Sequence, residues 1–543
     1  MDAKSKPWYK MWPDGVPKKI EYPDIPLHGL MQKTAEKYPE KVALTCRETK
    51  ITYARLDLRS NQFSNALARL GVKKGDRVAL YLPNIPEFVI AYFGVLKAGA
   101  AVTAVSPLHR EREVEFQLND SGAQTIVAFD TLTPIVEKVK EKIRLKNIII
   151  TGKDQYSSKT FRPSDAPSTK SFQQLLSDSP ISAPKTKVNP SEDLALLQYT
   201  GGTTGTAKGA MLTHTNLVSN ALAFAAWIKG ATAQETFLTA LPLFHIYGMT
   251  TSMTVPISLA AEMVLLPKFE PQKVLETIQN FKVTVFCGVP TMYSVLLASP
   301  ELGKYDLKSI RVCISGASPL PPQVQKGFME ITGGFLAEGY GLTEASPVTH
   351  CTPVDLSMKT MKVGSIGLPL PDTDARIVDL ETGEKMLGHG ETGELAVKGP
   401  QVMKGYWKKP AETALVLSGG WLLTGDIAHM DSDGYFYITD RKKDLIKYKD
   451  FSVYPRELED VLYEHPAVKL CAVIGKPDQT AGEVPKAYVV LKDGMSASVK
   501  ELLAFVNCKV APYKAIRELE FRKQLPISGA GKVLRRVLKE EKL

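Results

Sequence analysis

The sequence has few cysteines for its length, and it lacks the features of several protein classes. Six cysteines are spread over 543 residues, and no two form a Cys-x-x-Cys pair. Zinc sites and disulfide scaffolds are therefore not predicted, and a reducing compartment, the cytoplasm, is expected. The chain also lacks an apolar signal-peptide core near its first residue and a long block of like charge. Because nucleic-acid-binding proteins usually concentrate positive charge, no nucleic-acid partner is expected.

One uncharged segment is long enough to cross a bilayer. Residues Thr236–Ala261 contain no Asp, Glu, Lys or Arg. The segment also holds Pro242, Pro256, His245 and seven serines and threonines, which suit a lipid-facing helix poorly. We therefore predict a buried strand-and-helix segment, and at most peripheral membrane contact for the protein.

Short apolar runs alternate with longer stretches of helical spacing through most of the chain. The runs of strand type are residues 78–82, 125–128, 147–150, 283–286 and 312–315. This alternation predicts an α/β fold with parallel sheets and crossover helices. From about residue 372, shorter strands with glycine turns predict a small β-rich subdomain.

Length and charge indicate two domains. A chain of 543 residues exceeds what one hydrophobic core usually supports. The charged sequence Asp440–Asp444 is typical of a hinge, so we predict a large domain over residues 1–440 and a small α+β domain over residues 441–543. The second holds 21 Lys and Arg against 14 Asp and Glu, which is most of the net charge of +10. Such an excess suits an enzyme of anionic substrates.

The strongest local motif is a loop rich in glycine and threonine, Tyr199–Gly209, with the sequence YTGGTTGTAKG. Glycines expose backbone N–H groups to an anion, threonine hydroxyls can bind phosphate oxygens or a metal ion, and Lys208 adds positive charge. It is not a P-loop, because Ala207 precedes the lysine and glycine follows it, and it is not a GxGxxG loop. We predict a phosphate-binding loop, and the alternative is a flexible surface loop.

A second motif, Ala337–Glu344, has the sequence AEGYGLTE. The ring of Tyr340 could stack on a purine, since only glycines flank it. The Thr343 hydroxyl and the Glu344 carboxylate suit a phosphate and Mg²⁺, respectively. Taken alone, the motif is explained equally well as a glycine-rich turn.

Two further motifs each place one charged side chain beside glycine. Asp426 ends the sequence WLLTGD and could bind both hydroxyls of a ribose, although an ordinary turn aspartate is the simpler interpretation. Lys532 lies in the sequence PISGAGKV and could swing into a site, whereas a solvated lysine is the ordinary alternative.

Together and in this order, the four motifs resemble the adenylate-forming ligase superfamily, from Ile51 to Lys532. That superfamily includes acyl-CoA synthetases, adenylation domains of peptide synthetases and beetle luciferases, and the chain looks most like fatty-acid and 4-coumarate CoA ligases. The resemblance implies that ATP and Mg²⁺ convert a carboxylic acid to an acyl-adenylate, which then reacts with CoA. It also implies that the C-terminal domain is a mobile lid that moves between the two half-reactions.

The resemblance implies a role for each motif residue. The implied ATP and AMP contacts are Thr200, Gly201, Gly202, Thr203, Thr204, Gly205, Thr206, Lys208, Ser315, Gly316, Ala317, Glu338, Gly339, Tyr340, Gly341, Thr343, Asp426, Arg441 and Lys532. The implied catalytic residues are Lys532, Thr343, Glu344 and Lys443, the last at the hinge position. The metal contacts would be Thr200 and Glu344, the acyl contacts His245, Tyr247 and Gly316, and the CoA contacts Lys268, Lys449 and Asp450.

Two positions depart from the superfamily pattern. Ala207 replaces a usual proline, which should only loosen the loop. Asp450 replaces a usual glycine, and its carboxylate adds bulk and negative charge beside the path of the CoA arm. If Asp450 impairs thioester formation, the protein would be an acyl-AMP ligase rather than a CoA ligase.

We predict an AMP-forming acyl-CoA synthetase for a medium- or long-chain fatty acid. One alternative is an acyl-AMP ligase that passes the acyl group to a carrier protein or another nucleophile. A second is a catalytically weak acyl- or nucleotide-binding sensor. The partners are the acid, ATP and CoA, and the oligomeric state is left open, with a homodimer as one option.

Overall fold

A computed structural model describes residues 6–152, 169–200, 207–228, 230–354, 360–449, 451–478, 480–527 and 533–541. The chain forms two compact units. The larger unit contains residues 11–374 and 398–420, and the smaller contains residues 1–10, 375–397 and 421–543. The hinge boundary predicted between residues 440 and 441 stays a prediction.

Helices and strands alternate along much of the chain. The helices of the described ranges are α1 (Leu27–Lys37), α2 (Tyr53–Arg69), α3 (Pro86–Lys97), α4 (Glu111–Ser121), α5 (Thr133–Val139), α6 (Phe172–Ser177), α7 (His214–Trp227), α8 (Ile246–Met249), α9 (Val255–Ser258), α10 (Pro271–Phe281), α11 (Pro290–Leu297), α12 (Pro322–Thr332), α13 (Pro410–Val416), α14 (Pro455–Tyr463), α15 (Val499–Asn507) and α16 (Arg535–Glu540). Their strands are β1 (Val42–Cys46), β2 (Thr49–Thr52), β3 (Arg77–Tyr81), β4 (Ala101–Ala104), β5 (Thr125–Phe129), β6 (Asn147–Thr151), β7 (Thr169–Ser171), β8 (Leu194–Thr200), β9 (Lys208–Thr213), β10 (Thr236–Thr239), β11 (Glu262–Leu265), β12 (Val285–Gly288), β13 (Val312–Ser315), β14 (Phe335–Gly341), β15 (Val348–Cys351), β16 (Leu368–Pro369), β17 (Asp374–Val378), β18 (Gly393–Lys398), β19 (Leu417–Ser418), β20 (Trp421–Met430), β21 (Phe436–Arg441), β22 (Ile446–Tyr448), β23 (Phe451–Val453), β24 (Val468–Asp478), β25 (Gly482–Leu491) and β26 (Glu518–Phe521). Several helices begin with proline, which fits the first helical position because a backbone N–H there would have no intrahelical acceptor and proline lacks that N–H.

The first sheet of the larger unit has the strand order β7-β6-β5-β3-β4-β8-β9. All its pairs are parallel except β8 with β9, which run antiparallel. The predicted runs 78–82, 125–128 and 147–150 correspond to β3, β5 and β6. Apart from Arg77, Thr125, Asn147 and Thr151 at the strand ends, their side chains are apolar, as expected for parallel strands that are covered on both faces.

The second sheet has the order β16-β15-β14-β13-β12-β10-β11-β1-β2. Its central strands are parallel, and antiparallel pairs close both ends. Leu238, Phe286, Cys313 and Leu336 form one row across four neighbouring strands. The row is buried in a core with α10, α11 and α12. The predicted α/β class with parallel sheets is thereby confirmed.

The uncharged segment Thr236–Ala261 is a strand followed by short helical turns. It forms β10, α8, a π-helical turn over Thr250–Thr254, and α9, and most of its side chains are buried. The prediction of a buried strand-and-helix segment is confirmed. Within the described part of the chain, no helix is both long and apolar enough to cross a membrane.

The smaller unit contains two antiparallel-rich sheets. Strands β18, β20 and β21 pair antiparallel, which confirms the β-rich subdomain predicted from about residue 372. The other sheet has the order β23-β22-β25-β24, with β26 parallel to β25. Helices α14 and α15 bury Leu458, Leu462, Leu502 and Val506 against it, so residues 441–543 have the predicted α+β character.

Candidate active site

The predicted phosphate loop connects two antiparallel strands of the larger unit. Thr200 at the end of β8 is the register partner of Lys208 at the start of β9. The two predicted contacts at the ends of the motif therefore lie side by side at the base of the loop. Residues Gly201–Thr206 lie outside the described residues, so the roles predicted for them stay predictions.

Tyr199, the first residue of the loop motif, is fixed by a carboxylate that no sequence motif indicated. Its hydroxyl donates a hydrogen bond to Asp120 Oδ2 at 2.5 Å. Burial and this carboxylate raise the pKa of Tyr199 above its ordinary value. The backbone carbonyl of Asp120 also accepts hydrogen bonds from Trp407 Nε1 at 3.0 Å and Lys408 Nζ at 2.7 Å. Asp120 thus connects α4 to the loop strand and to residues 407–408.

Two groups of predicted nucleotide contacts, Ser315–Ala317 and Glu338–Gly341, meet where the parallel pairing of β13 and β14 ends. Ser315 on β13 is the register partner of Glu338 on β14. Ligands of open α/β sheets commonly bind at such an edge. The Ser315 hydroxyl is fully buried, and no described residue forms a hydrogen bond with it. Gly339, Tyr340 and Gly341 complete β14 and pair antiparallel with β15.

Gly341 has no room for a side chain. A Cβ atom there would lie 2.1 Å from the carbonyl oxygen of Pro347. The close approach brings together the two ends of the turn that carries Thr343 and Glu344, since Pro347 immediately precedes β15. The fold therefore requires glycine at position 341, in addition to the contact with nucleotide that is predicted for it.

Glu344 is linked to Lys208 by one aromatic side chain. The Tyr406 hydroxyl donates a hydrogen bond to Glu344 Oε1 at 2.7 Å. Lys208 Nζ lies 5.0 Å from the centroid of the Tyr406 ring. The backbone N–H of Met403 donates to the Glu344 carbonyl at 2.8 Å, which anchors the turn. The residue pattern alone did not single out Tyr406; its only local signal is the preceding Gly405 in the sequence KGYW.

The predicted acyl contacts are brought together around one buried tyrosine. The Tyr247 hydroxyl lies 3.0 Å from the Ile314 carbonyl and 3.2 Å from the Gly288 carbonyl. His245 Nδ1 accepts a hydrogen bond from the Tyr247 backbone N–H at 3.3 Å, which fixes the start of α8. A Cβ atom at Gly316 would lie 3.1 Å from the Tyr247 ring. Burial raises the pKa of Tyr247 far above its ordinary range, so its hydroxyl stays protonated.

In the smaller unit, the two predicted ribose ligands form an ion pair. Asp426 on β20 is the register partner of Arg441 on β21, and Arg441 Nε lies 3.0 Å from Asp426 Oδ1. The Asp426 side chain is 5% exposed and that of Arg441 is 41% exposed. Lys443 follows at the surface, and partial burial of its ammonium together with Arg441 and Arg535 lowers its pKa to about 8.

The predicted CoA contacts are described only in part. Lys268 is exposed in the larger unit, and its Nζ atom lies 3.9 Å from Glu270 Oε1. Lys449, in the smaller unit, has a φ of +52° and donates its backbone N–H to the Ala481 carbonyl at 2.7 Å. Asp450 lies outside the described residues.

Lys532 also lies outside the described residues, but the ends of its loop are described. Ile527 pairs with Val533 in an antiparallel bridge. The backbone N–H of Leu534 donates to the Pro526 carbonyl at 2.8 Å. These contacts close the base of the loop, while the role of Lys532 stays a prediction.

The α/β fold and the four motifs together define an adenylate-forming enzyme. Sequence comparison gives the same class of protein. The profile of the AMP-binding enzyme family matches residues 31–407, and that of the AMP-binding enzyme C-terminal domain matches residues 457–532. The chain belongs to the family of AMP-binding enzymes.

Individual relatives show which kinds of AMP-binding enzyme this chain is similar to. The long-chain-fatty-acid–CoA ligase of Bacillus subtilis is 44% identical to this chain, over 99% of this chain and 98% of the relative. The long-chain-fatty-acid–CoA ligase of Escherichia coli O6:H1 is 39% identical, with the same coverage of both chains. Among solved structures, ATP-bound MatB from Rhodopseudomonas palustris has a TM-score of 0.86 at 31% identity, over 95% of this chain and 99% of that chain. The predicted resemblance is confirmed.

Proposed function

We propose that this protein is an AMP-forming CoA ligase that activates a fatty acid with ATP and transfers the acyl group to CoA. The observation that carries the proposal is the 44% identity to a long-chain-fatty-acid–CoA ligase over nearly the whole of both chains. The site in the larger unit agrees with it, since Lys208, Thr200 and Glu344 supply the cation, hydroxyl and carboxylate that a triphosphate and its metal ion need. A medium- or long-chain acid is the proposed substrate.

The donor set around Glu344 fits Mg²⁺. Mg²⁺ is usually bound through one or two carboxylates, with substrate phosphates and waters completing the shell. The described residues hold no group of three or more His, Cys, Asp or Glu that could hold a metal ion by itself. When bound, the ion would neutralise phosphate charge and favour attack by the carboxylate at the α-phosphorus.

The chain's own residues would serve the reaction through charge and orientation. Adenylation joins two anions, so Lys208 and Lys532 would reduce the repulsion between the acid and ATP. The buried Ser315 hydroxyl would gain a hydrogen-bond partner from nucleotide bound at the strand edge. Tyr247, held by two carbonyls, would give the acyl group a fixed wall beside Gly316.

The remaining assignments belong to the same proposal. Asp426 and Arg441, paired across β20 and β21, would bind the ribose. Lys268 and Lys449 would contact the anionic CoA, and Lys443 would mark the hinge of a mobile C-terminal lid. The cytoplasmic location and a homodimer stay predictions.

An acyl-AMP ligase is not favoured, because the Bacillus subtilis and Escherichia coli relatives are CoA ligases. Pyrophosphate release should be measured with acids from acetate to palmitate and with aryl acids, with and without CoA. We expect release that depends on a fatty acid and ATP, and acyl-CoA when CoA is added. Accumulation of acyl-AMP in the presence of CoA would favour the acyl-AMP ligase, and no release with any acid would favour a binding sensor.

A further inference from the structure

We propose that Tyr406 is a positioning residue for the phosphate side of the site. Its hydroxyl holds the Glu344 carboxylate, and its ring face holds the Lys208 ammonium. The tyrosine thereby keeps a cation and a carboxylate apart that would otherwise neutralise each other. This inference rests on the proposed function, in which Glu344 faces a divalent cation and Lys208 faces the phosphates.

The Glu344 carboxylate has one fixed oxygen and one available oxygen. Among the described residues, Tyr406 is the only side chain that donates a hydrogen bond to it, and none of the ion pairs among those residues includes Glu344. The bond joins Tyr406 Oη to Glu344 Oε1 at 2.7 Å, and Tyr406 is only 9% exposed. A hydrogen bond to one oxygen restricts the rotamers of the side chain and leaves Oε2 for a metal ion.

Lys208 contacts the aromatic ring of Tyr406, the residue whose hydroxyl holds Glu344. Its ammonium lies 5.0 Å from the ring centroid of Tyr406, within the range of a cation–π interaction. Lys208 and Glu344 form no ion pair with each other in the described structure. An ion pair between them would occupy both groups and remove them from ATP and its metal ion. The ring therefore acts as a spacer as well as a contact.

Tyr406 is itself held firmly by its backbone. Gly405 accepts a hydrogen bond from the Met211 N–H at 2.9 Å, and the Trp407 N–H donates to the Gly209 carbonyl at 2.8 Å. The Tyr406 N–H donates to Thr413 Oγ1 at 2.9 Å. The first two bonds fasten the segment around Tyr406 to β9, the strand that carries Lys208, and the third fastens it to α13. The backbone of Tyr406 is therefore fixed relative to the strand of Lys208.

The test compares Tyr406→Phe with Tyr406→Leu, and measures ATP binding rather than turnover. Calorimetric titrations with ATP, without acid, are run once with Mg²⁺ and once with EDTA. Tyr406→Phe keeps the ring and loses the hydroxyl, so we expect about tenfold weaker binding with Mg²⁺ and unchanged binding with EDTA. Tyr406→Leu also loses the ring, so binding should weaken under both conditions.

Tyr22→Phe is the matched control, because the Tyr22 hydroxyl donates to a carboxylate oxygen of Asp372 at 2.9 Å, also in the larger unit. That variant should bind ATP like the wild type. In a Glu344→Gln background, Tyr406→Phe should add almost nothing, because both changes act on one carboxylate.

Equal weakening by Tyr406→Phe with Mg²⁺ and with EDTA, or full additivity with Glu344→Gln, would overturn the inference. Binding by Tyr406→Phe that matches the wild type under both conditions would overturn it too. A wild-type protein that fails to bind ATP or to release pyrophosphate would instead defeat the proposed function.

Discussion

Replacing Tyr199 by phenylalanine should weaken both the fold of the larger unit and its use of ATP. The substitution deletes the hydroxyl that donates to Asp120 Oδ2 at 2.5 Å and leaves the ring in place. Hydrogen bonds to charged groups contribute about 1.5–3 kcal/mol, and partial exposure of this site favours the lower end. We therefore expect a loss of about 1.5 kcal/mol in the free energy of unfolding.

The same change should raise the KM for ATP, because Tyr199 adjoins Thr200 at the base of the phosphate loop. Urea unfolding gives the free energy of unfolding, and pyrophosphate release at saturating acid gives the KM for ATP. Tyr22→Phe is again the control, since it should cost stability without changing the KM for ATP. A Tyr199→Phe protein with unchanged stability and unchanged KM would refute the role given to Asp120.

Three further substitutions test other parts of the site. Lys532→Ala should lower adenylation by about 10²–10³-fold and spare thioester formation from supplied acyl-AMP, since one preorganised charge is lost; equal loss in both half-reactions would contradict this. Asp450→Gly should lower the apparent KM for CoA and leave pyrophosphate release unchanged, while identical CoA titrations would identify an ordinary turn residue. Gly316→Ala would place a methyl group 3.1 Å from the Tyr247 ring and 3.2 Å from the Gly339 carbonyl. It should raise the KM for the acid, as read by acid titrations of pyrophosphate release, and an unchanged KM would remove Gly316 from the acyl wall.

Local patterns predicted the elements of this protein better than their contacts. The apolar run 312–315 matches β13, because continuous apolar residues are what a doubly covered parallel strand requires. The run 283–286 was less accurate, since the strand begins at Val285. The N–H of Val283 still donates to the Ile278 carbonyl at the end of α10, after Lys282 at a φ of +48°. Helix termination therefore delays the strand by two residues.

Side-chain partners across long sequence separations could not be predicted in the same way. Glu344 was predicted from its motif, but its partner Tyr406 is 62 residues away. Asp120 is separated from Tyr199 by 79 residues and belongs to no motif. Such pairs are fixed by the packing of whole elements, and one sequence carries no local signal for them. The ion pair between Asp426 and Arg441 depends likewise on the register of β20 and β21.

The central claim, ligation of a fatty acid to CoA through an adenylate, is tested most directly by product analysis of one reaction. Purified protein, ATP, Mg²⁺ and palmitate should release pyrophosphate and form acyl-AMP, and added CoA should convert the product to palmitoyl-CoA with AMP. The account predicts stoichiometric AMP and acyl-CoA. Acyl-AMP that persists with saturating CoA would contradict it.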